Sequence, residues 1–294
     1  MPESLHRREF LMLSAGAAAA LSPLAALAAE KPAKNRAIRK AVMYATIGFK
    51  GSVLEKFKAL KAAGFEGVEP MSHMNQDEVV KALEETGLKA ASVCCNTHWG
   101  RPLSHPDENV RKDGREGLQR ALQDAKRYGA TSVLLVPGVV NDKVPYDDCF
   151  KRSVAEIRKM LPVAEETGVK IAIENVWNNF ITKPEQAKAF LDEINSPLVG
   201  WHFDIGNVIK YGPPEEWIPV LGKRILKLHI KEYSKLKGFG VKLFEGDNKW
   251  PAIMKALEDV GYEGWGISEQ PGNQASDPAT LKDLSERMDK VFAS

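Results

Sequence analysis

The stretch LVGWHFDIGN, residues 198–207, joins a hydrophobic strand to polar side chains near its end. Side chains alternate between the two faces of a strand, so Trp201 and Phe203 share one face. His202 and Asp204 then share the other face, and a glycine two residues later interrupts the pattern. The carboxylate is either satisfied by solvent and neighbouring groups or part of a site that requires negative charge. The remaining strands of the chain distinguish these two interpretations.

Short β-branched runs alternate with longer amphipathic stretches along the rest of the chain. Several amphipathic stretches end in glycine, the residue preferred just after a helix. These glycines are Gly64, Gly87, Gly129, Gly168 and Gly261. The predicted strands are residues 41–46, 67–71, 89–95, 131–136, 169–175, 198–204, 225–231 and 264–269. Eight strands alternating with helices fit either a closed (β/α)₈ barrel or a long doubly wound sheet.

The residues that follow the strands favour the barrel. No Gly-x-Gly-x-x-Gly turn follows the first strand, so the dinucleotide fingerprint of many doubly wound folds is absent. Polar residues instead stand at the ends of the last four strands: Glu174, Asp204, His229 and Glu269. In a barrel, the carboxyl ends of all strands meet on the face that carries the active site. The sequence therefore predicts a single (β/α)₈ TIM barrel with a site on that face.

The first 29 residues have the three parts of a cleavable secretory signal peptide. Arg7 and Arg8 precede an apolar run, and residues 26–28 form a cleavage-like Ala-Leu-Ala triplet. The paired arginines resemble the twin-arginine export signal of bacteria; an ordinary signal peptide is the alternative. We expect residues 30–40 to be a linker and residues 41–294 the barrel. The twin-arginine export machinery would then be a partner during secretion, and the mature protein would be periplasmic or otherwise exported.

Composition excludes several other classes of protein. Beyond the signal, no run of about 20 apolar residues occurs, so we expect no stable membrane anchor. The chain carries 41 Lys and Arg against 39 Asp and Glu, a net charge of +2. This balance argues against a nucleic-acid partner, which would require a basic face. Three cysteines, two of them adjacent, do not make a disulfide framework, and we interpret them as small buried hydrophobic residues.

Three carboxylates and one imidazole at the ends of neighbouring strands predict a metal site. Oxygen-rich ligation with one nitrogen suits one divalent ion, preferably Mn²⁺ or Mg²⁺, with Co²⁺ and Zn²⁺ as alternatives. The predicted ligands are Glu174, Asp204, His229 and Glu269. Of the two interpretations of Asp204, this pattern favours the second: Asp204 is predicted to bind a cation. His202 is predicted to lie deeper, as a supporting or core residue.

Several motifs carry a resemblance to a known family. They are IAIENVW around Glu174, FDIGN at 203–207, LKLHIKEY around His229, ISEQPG around Glu269 and FEGDNKWPAIMKALEDVGYEGW at 244–265. With them the chain resembles the xylose isomerase-like barrels, which include sugar phosphate isomerases and epimerases, ketose 3-epimerases and hydroxypyruvate isomerase. The resemblance covers about residues 40–292.

The resemblance implies a metal-dependent sugar isomerase or epimerase. In such an enzyme a proton leaves the carbon beside a carbonyl and an ene-diolate forms on the metal. Glu174 and Glu269 would act as acid and base while also touching the ion, and Asp204 and His229 would be ligands only. Ketose 3-epimerases carry a histidine three residues after the aspartate, where this chain has Asn207, which cannot shuttle protons.

Further polar and aromatic residues at strand ends are candidates for binding a sugar or keto-sugar substrate. They are Glu69 and His73 after the second strand, His98 with Trp99 after the third, Trp177 after Glu174, and Asn207. The alternatives are a surface position for the two loop histidines and packing at the barrel mouth for Trp177.

Two other functions remain open from the sequence. Proton abstraction beside a carbonyl also leads to elimination, so a metal-dependent lyase or hydratase acting on 3-keto-glycosides is one alternative. A non-catalytic sugar-binding barrel is another. The related barrel endonucleases are disfavoured because they require a basic groove. The oligomeric state is not determined by the sequence.

Overall fold

A computed structural model of the chain describes residues 36–294. The predicted signal peptide, residues 1–29, lies outside the described residues. Among the helices of the described part, none is both long and apolar enough to cross a bilayer.

The described residues form one parallel sheet of nine strands. They are β1 Ile38–Met43, β2 Gly67–Glu69, β3 Lys89–Ala90, β4 Val93–Cys94, β5 Ser132–Leu135, β6 Lys170–Glu174, β7 Val199–Asp204, β8 Ile225–Ile230 and β9 Gly264–Ser268. The order is β3-β2-β1-β9-β8-β7-β6-β5-β4. Only two residues separate β3 from β4, so the two ends of this order are halves of one interrupted strand. A parallel bridge between Met71, just after β2, and Cys94 of β4 continues the pairing across this interruption. The sheet therefore closes, and the predicted (β/α)₈ barrel is confirmed.

Helices alternate with the strands on the outside of the barrel. They are α1 Val53–Ala62, α2 Gln76–Thr86, α3 Glu108–Tyr128, α4 Tyr146–Thr167, α5 Pro184–Ile194, α6 Ile205–Val208, α7 Pro214–Leu221, α8 Trp250–Asp259 and α9 Pro278–Ala293. Three of the five glycines predicted to end helices are confirmed as helix C-caps. They are Gly87, Gly129 and Gly168, which adopt left-handed φ values of 69°, 73° and 70°. Glycine adopts this conformation without a Cβ clash.

Two strands differ from the prediction by more than one or two residues at an end. β1 begins at Ile38, inside the stretch predicted as a linker, and ends at Met43 rather than at residue 46. The reason is tertiary: Ile38 already pairs with Gly264 of β9, so the barrel extends β1 toward the N-terminus. The third predicted strand, 89–95, is interrupted in its middle, where its partner changes from β2 to β5.

The alternation in β7 separates two environments. Trp201 and Phe203 belong to the large core between the sheet and the helices. His202 faces inward, where its ring lies 4.2 Å, centroid to centroid, from that of His229 on β8. A small inner core of Ala41, Ala91, Trp265 and Ile267 fills part of the barrel interior.

Candidate metal centre

Four polar side chains from four consecutive strands converge inside the carboxyl end of the barrel. His229 Nδ1 lies 2.8 Å from Glu174 Oε1, 3.2 Å from Glu269 Oε2 and 3.8 Å from Asp204 Oδ2. One ligand atom from each of the four residues lies within 4.8 Å of every other. This spacing allows one ion to contact all four, because cation–ligand distances in proteins are about 2.0–2.6 Å.

The carboxylates of this cluster are largely buried, so their negative charge requires compensation. Asp204 and His229 are fully buried, Glu174 is nearly so, and the Glu269 side chain is 21% exposed. Three carboxylates removed from water at this spacing repel one another and are costly to ionise without compensation. Lys231 supplies one positive charge, with its Nζ 2.8 Å from Glu269 Oε2 and 3.6 Å from Asp204 Oδ2. The donor set and the remaining negative charge fit a divalent cation.

Asp204 is held in position through both of its oxygens. It caps the short helix α6: the Asn207 backbone N–H donates to Asp204 Oδ1 at 2.8 Å, and the Asn207 side-chain amide donates to Oδ2 at 2.8 Å. The Asn175 amide donates to the Asp204 carbonyl at 2.8 Å. Gly206 permits this turn, since a Cβ there would lie 2.7 Å from the carbonyl oxygen of Lys231. Glycine serves here for close backbone approach.

Glu69 lies beneath the cluster, in a place that differs from the expectation. We predicted it at the substrate end of the pocket; it is instead fully buried inside the barrel, with Oε2 3.0 Å from His229 Nε2. A carboxylate on one ring nitrogen of a ligating histidine fixes the tautomer and orients the other nitrogen. Glu69 thus leaves His229 Nδ1 directed at the carboxylates of Glu174 and Glu269.

His202 extends this buried layer. Its Nδ1 lies 3.9 Å from Glu69 Oε1, and both ring nitrogens of His202 lack a hydrogen-bond partner among the described residues. Glu69, His202 and His229 also offer three ligand atoms within 4.8 Å of one another. All three residues are sealed from solvent. We call Glu69 and His202 the inner pair and the four predicted ligands the outer cluster.

The electrostatics of the cation-free site differ between its two glutamates. Burial raises the pKa of Glu174 to about 8, against the opposing hydrogen bond with His229. Burial also opposes ionisation of Glu269, but the Lys231 ammonium and the His229 ring outweigh it and hold the pKa of Glu269 well below its usual value. Burial disfavours a charged His229 ring, but the carboxylates of Glu69 and Glu269 outweigh it and hold the pKa of His229 well above its usual value. A bound cation must therefore displace protons held by Glu174 and His229.

A cavity of about 240 Å³ opens onto the outer cluster. It is lined by Met43, Cys94, His98, Trp99, Glu174, Val176, Trp177, Asn207, Lys231, Phe239 and Glu269. Four predicted substrate residues, His98, Trp99, Trp177 and Asn207, are thus at the cavity. The other two, Glu69 and His73, are not.

The two predicted loop histidines occupy different environments. The His98 ring is buried, and its Nδ1 accepts a hydrogen bond from the Val136 backbone N–H at 3.2 Å. Burial lowers the pKa of His98 to about 4, so the ring is neutral at pH 7. His73 is exposed, and its Nδ1 lies 2.8 Å from the Ser72 hydroxyl.

Trp177 lines the cavity but is also packed against its neighbours. Its indole N–H donates to the Asn207 carbonyl at 2.8 Å, and its ring contacts Tyr233 and Phe239. Lys210 Nζ lies 4.6 Å from the ring centroid. Much of the Trp177 ring is therefore already occupied by protein contacts.

Lys231 belongs to the candidate site, although it was not among the predicted site residues. The pattern contained a signal for it: Lys231 stands two residues after His229, and residues two apart point to the same side of a strand. Its Nζ also lies 3.4 Å from Asn207 Oδ1. Lys231 thus connects the outer cluster to the cavity wall.

The sequence family is established by a match over most of the chain. Residues 57–291 match the family model described as xylose isomerase-like TIM barrel. The chain belongs to this family. The sequence resemblance stated for residues 40–292 is confirmed at this level.

Relatives and structural neighbours include several sugar epimerases. L-ribulose-5-phosphate 3-epimerase UlaE of Escherichia coli O157:H7 is 25% identical over 241 residues, which cover 77% of this chain and 84% of the relative. The 3-keto-D-glucoside 4-epimerase YcjR of E. coli superposes with a TM-score of 0.76 at 19% identity, over 87% of this chain and 100% of that one. The IOLI protein, crystallised with zinc, gives a TM-score of 0.75 at 18% identity, over 87% and 98%. The sequence relative is thus named as an epimerase of a sugar phosphate, and the two structures share the fold of this chain.

Proposed function

We propose that this family member is a divalent-metal-dependent sugar epimerase or isomerase. One observation carries the proposal: Glu174 and Glu269 reach a single cavity from different strands, and both carboxylates adjoin the same ring nitrogen of His229. The epimerase activity named for the relatives supports the same reaction class.

All four residues of the outer cluster would bind the metal, and two of them would also transfer protons. A divalent ion held by Glu174, Asp204, His229 and Glu269 would polarise the substrate carbonyl and so acidify the adjacent C–H bond. Glu269, kept ionised beside Lys231, is suited to accept the proton from that carbon. Glu174, on a separate strand, is suited to return a proton from another direction. Return to the opposite face of one carbon gives epimerisation, and return to the neighbouring carbon gives isomerisation.

The test is solvent exchange with the metal-loaded enzyme. Ketoses, aldoses and 3-keto-glycosides are incubated in D₂O and followed by NMR for deuterium at the carbon beside the carbonyl. Exchange that is lost in Glu269→Gln and Glu174→Gln, with metal retained, is the expected result. An ultraviolet-absorbing unsaturated product would assign elimination instead, and binding without exchange for every sugar would assign a binding protein.

We also propose that the native ion is Mn²⁺ or Mg²⁺ and that it is bound before export. Three oxygen donors and one nitrogen do not by themselves reject Zn²⁺ or Cu²⁺, so selectivity depends on which ion is present when the site forms. A twin-arginine signal would export the protein already folded around a cytoplasmic ion. An Arg7→Lys, Arg8→Lys double variant should remain in the cytoplasm. Its normal export would remove the premise, and stoichiometric zinc in the native exported protein would contradict the metal assignment.

A further inference from the structure

An exposed indole stands at the cavity beside the carboxylates. Trp99 is 54% exposed, although it lines the same cavity as Glu174 and Glu269. Trp99 has an edge contact with His98, at 5.6 Å between ring centroids. A large aromatic surface left in water beside a polar site is typical of a ligand-binding surface.

The turn that carries Trp99 is anchored on both sides. The Arg101 backbone N–H donates to the Thr97 carbonyl at 2.8 Å, and the Asn96 N–H donates to the Ser72 hydroxyl at 2.9 Å. The adjacent His98 side chain is buried against the backbone of Val136. Trp99 is therefore held at the cavity in a defined position, which reduces the entropy lost when a ligand contacts it.

The charge of the cavity disfavours a phosphate. Among the described residues that line it, Lys231 is the single ammonium group, and its Nζ already contacts Glu269 and Asp204. His98 uses Nδ1 as an acceptor and is neutral at pH 7. Phosphate recognition usually uses Arg or Lys donors that are free to form charge-assisted hydrogen bonds.

We propose that the cavity binds an unphosphorylated glycoside whose reacting sugar carries a carbonyl group, with the oxygens of that sugar at the outer cluster and the apolar face of the group linked to it against Trp99. This inference rests on the proposed function and narrows its substrate class. It separates this chain from relatives such as UlaE, which is named for a sugar phosphate.

The test is a binding measurement on the Mn²⁺-loaded protein by isothermal titration calorimetry. The probes are methyl and phenyl glycosides of glucose and galactose in both anomers, cellobiose, D-ribulose and D-ribulose 5-phosphate. The variants are Trp99→Ala, Trp99→Phe and, as a matched exposed apolar residue outside the cavity, Leu236→Ala, whose side chain is 95% exposed. Phenyl glycosides and cellobiose separate an apolar substituent from a second sugar as the occupant at Trp99.

The expected result is a loss of about tenfold (~1.4 kcal/mol) in phenyl glycoside or cellobiose affinity in Trp99→Ala, with methyl glycosides changed less than threefold. Trp99→Phe should restore most of the loss, and Leu236→Ala should change nothing. D-ribulose 5-phosphate should bind no more tightly than D-ribulose. Equal losses for methyl and phenyl probes, tighter phosphate binding, or no binding of any glycoside would overturn the proposal. Deuterium exchange of D-ribulose by the unmodified protein tests the proposed function separately, because D-ribulose carries no linked group that could contact Trp99.

Discussion

The outer cluster and the inner pair contain the same chemical groups but have different roles. Both combine carboxylate and imidazole, and both contact His229, through Nδ1 and Nε2 respectively. The outer cluster opens onto the cavity through Glu174 and Glu269, whereas Glu69 and His202 are sealed inside the barrel. The two regions therefore differ in their access to the cavity and not in their residue types.

The outer cluster and the inner pair also differ in their hydrogen-bond partners. In the outer cluster, Asp204 receives hydrogen bonds on both oxygens and Glu269 has the ammonium of Lys231. In the inner pair, Glu69 Oε1 and both ring nitrogens of His202 lack hydrogen-bond partners among the described residues. The outer cluster is built to hold charge, and the inner pair is built to fix the His229 ring.

The largest effect is expected when the outer cluster loses a ligand that takes no part in proton transfer. Asp204→Ala should remove bound metal and reduce activity to background, because Asp204 is fully buried between the other ligands and Lys231. Metal content by mass spectrometry and turnover are measured together. Asp259→Ala, on the exposed surface of α8, is the control. Stoichiometric metal in Asp204→Ala would show that the ion lies elsewhere.

A somewhat smaller effect is expected from the two glutamates of the outer cluster. Glu269→Gln or Glu174→Gln should lower kcat by about 10²-fold or more while retaining metal, since an amide can ligate but cannot accept the proton. Steady-state kinetics on the metal-saturated variants provide the measurement. Near wild-type turnover of metal-bound Glu269→Gln would refute the two-carboxylate mechanism.

The inner pair should act through metal binding alone. Glu69→Gln should weaken metal affinity by about 10–100-fold, the usual scale for losing the carboxylate behind a ligating histidine. Competition with a metal chelator gives the affinity, and saturating metal should restore most of the turnover. Glu66→Gln, three residues earlier and exposed, is the matched control. Unchanged affinity would mean that the orientation of His229 does not depend on Glu69.

The smallest effect distinguishes the two regions by pH. The pKa of Glu174 is raised to about 8 in the cation-free site, so below pH 8 the cation must displace its proton. The pKa of His229 is also well above its usual value, because the carboxylates of Glu69 and Glu269 outweigh the effect of burial, so the cation displaces that proton as well. Metal affinity should therefore rise at least fivefold between pH 7 and pH 8. Glu174→Gln should make this rise shallower, whereas Glu69→Gln should lower the affinity at every pH. An equally steep rise in Glu174→Gln would show that Glu174 does not hold a displaced proton.

The comparison also shows why some site residues could be predicted and others could not. Glu174, Asp204, His229 and Glu269 each end a strand, and parallel strands in a barrel deliver their carboxyl ends to one face. Glu69 follows the same rule in sequence but lies opposite β7 and β8 across the barrel, so its side chain meets His229 from below. No local pattern distinguishes these two positions. Lys231 was not among the predicted site residues, although its spacing from His229 contained the signal.

The sequence by itself determined the barrel and the residues at its strand ends. Strand and helix periodicities, glycine caps and strand-end polar residues depend on residues close together in the chain, so the sequence alone reveals them. Only the tertiary structure decided that β1 begins at Ile38, that Glu69 supports His229 from inside, and that Lys231 lies against Glu269 and Asp204. Each of these depends on contacts between residues far apart in the chain. Such contacts follow from barrel closure, which sets the strand register and the side from which each group approaches.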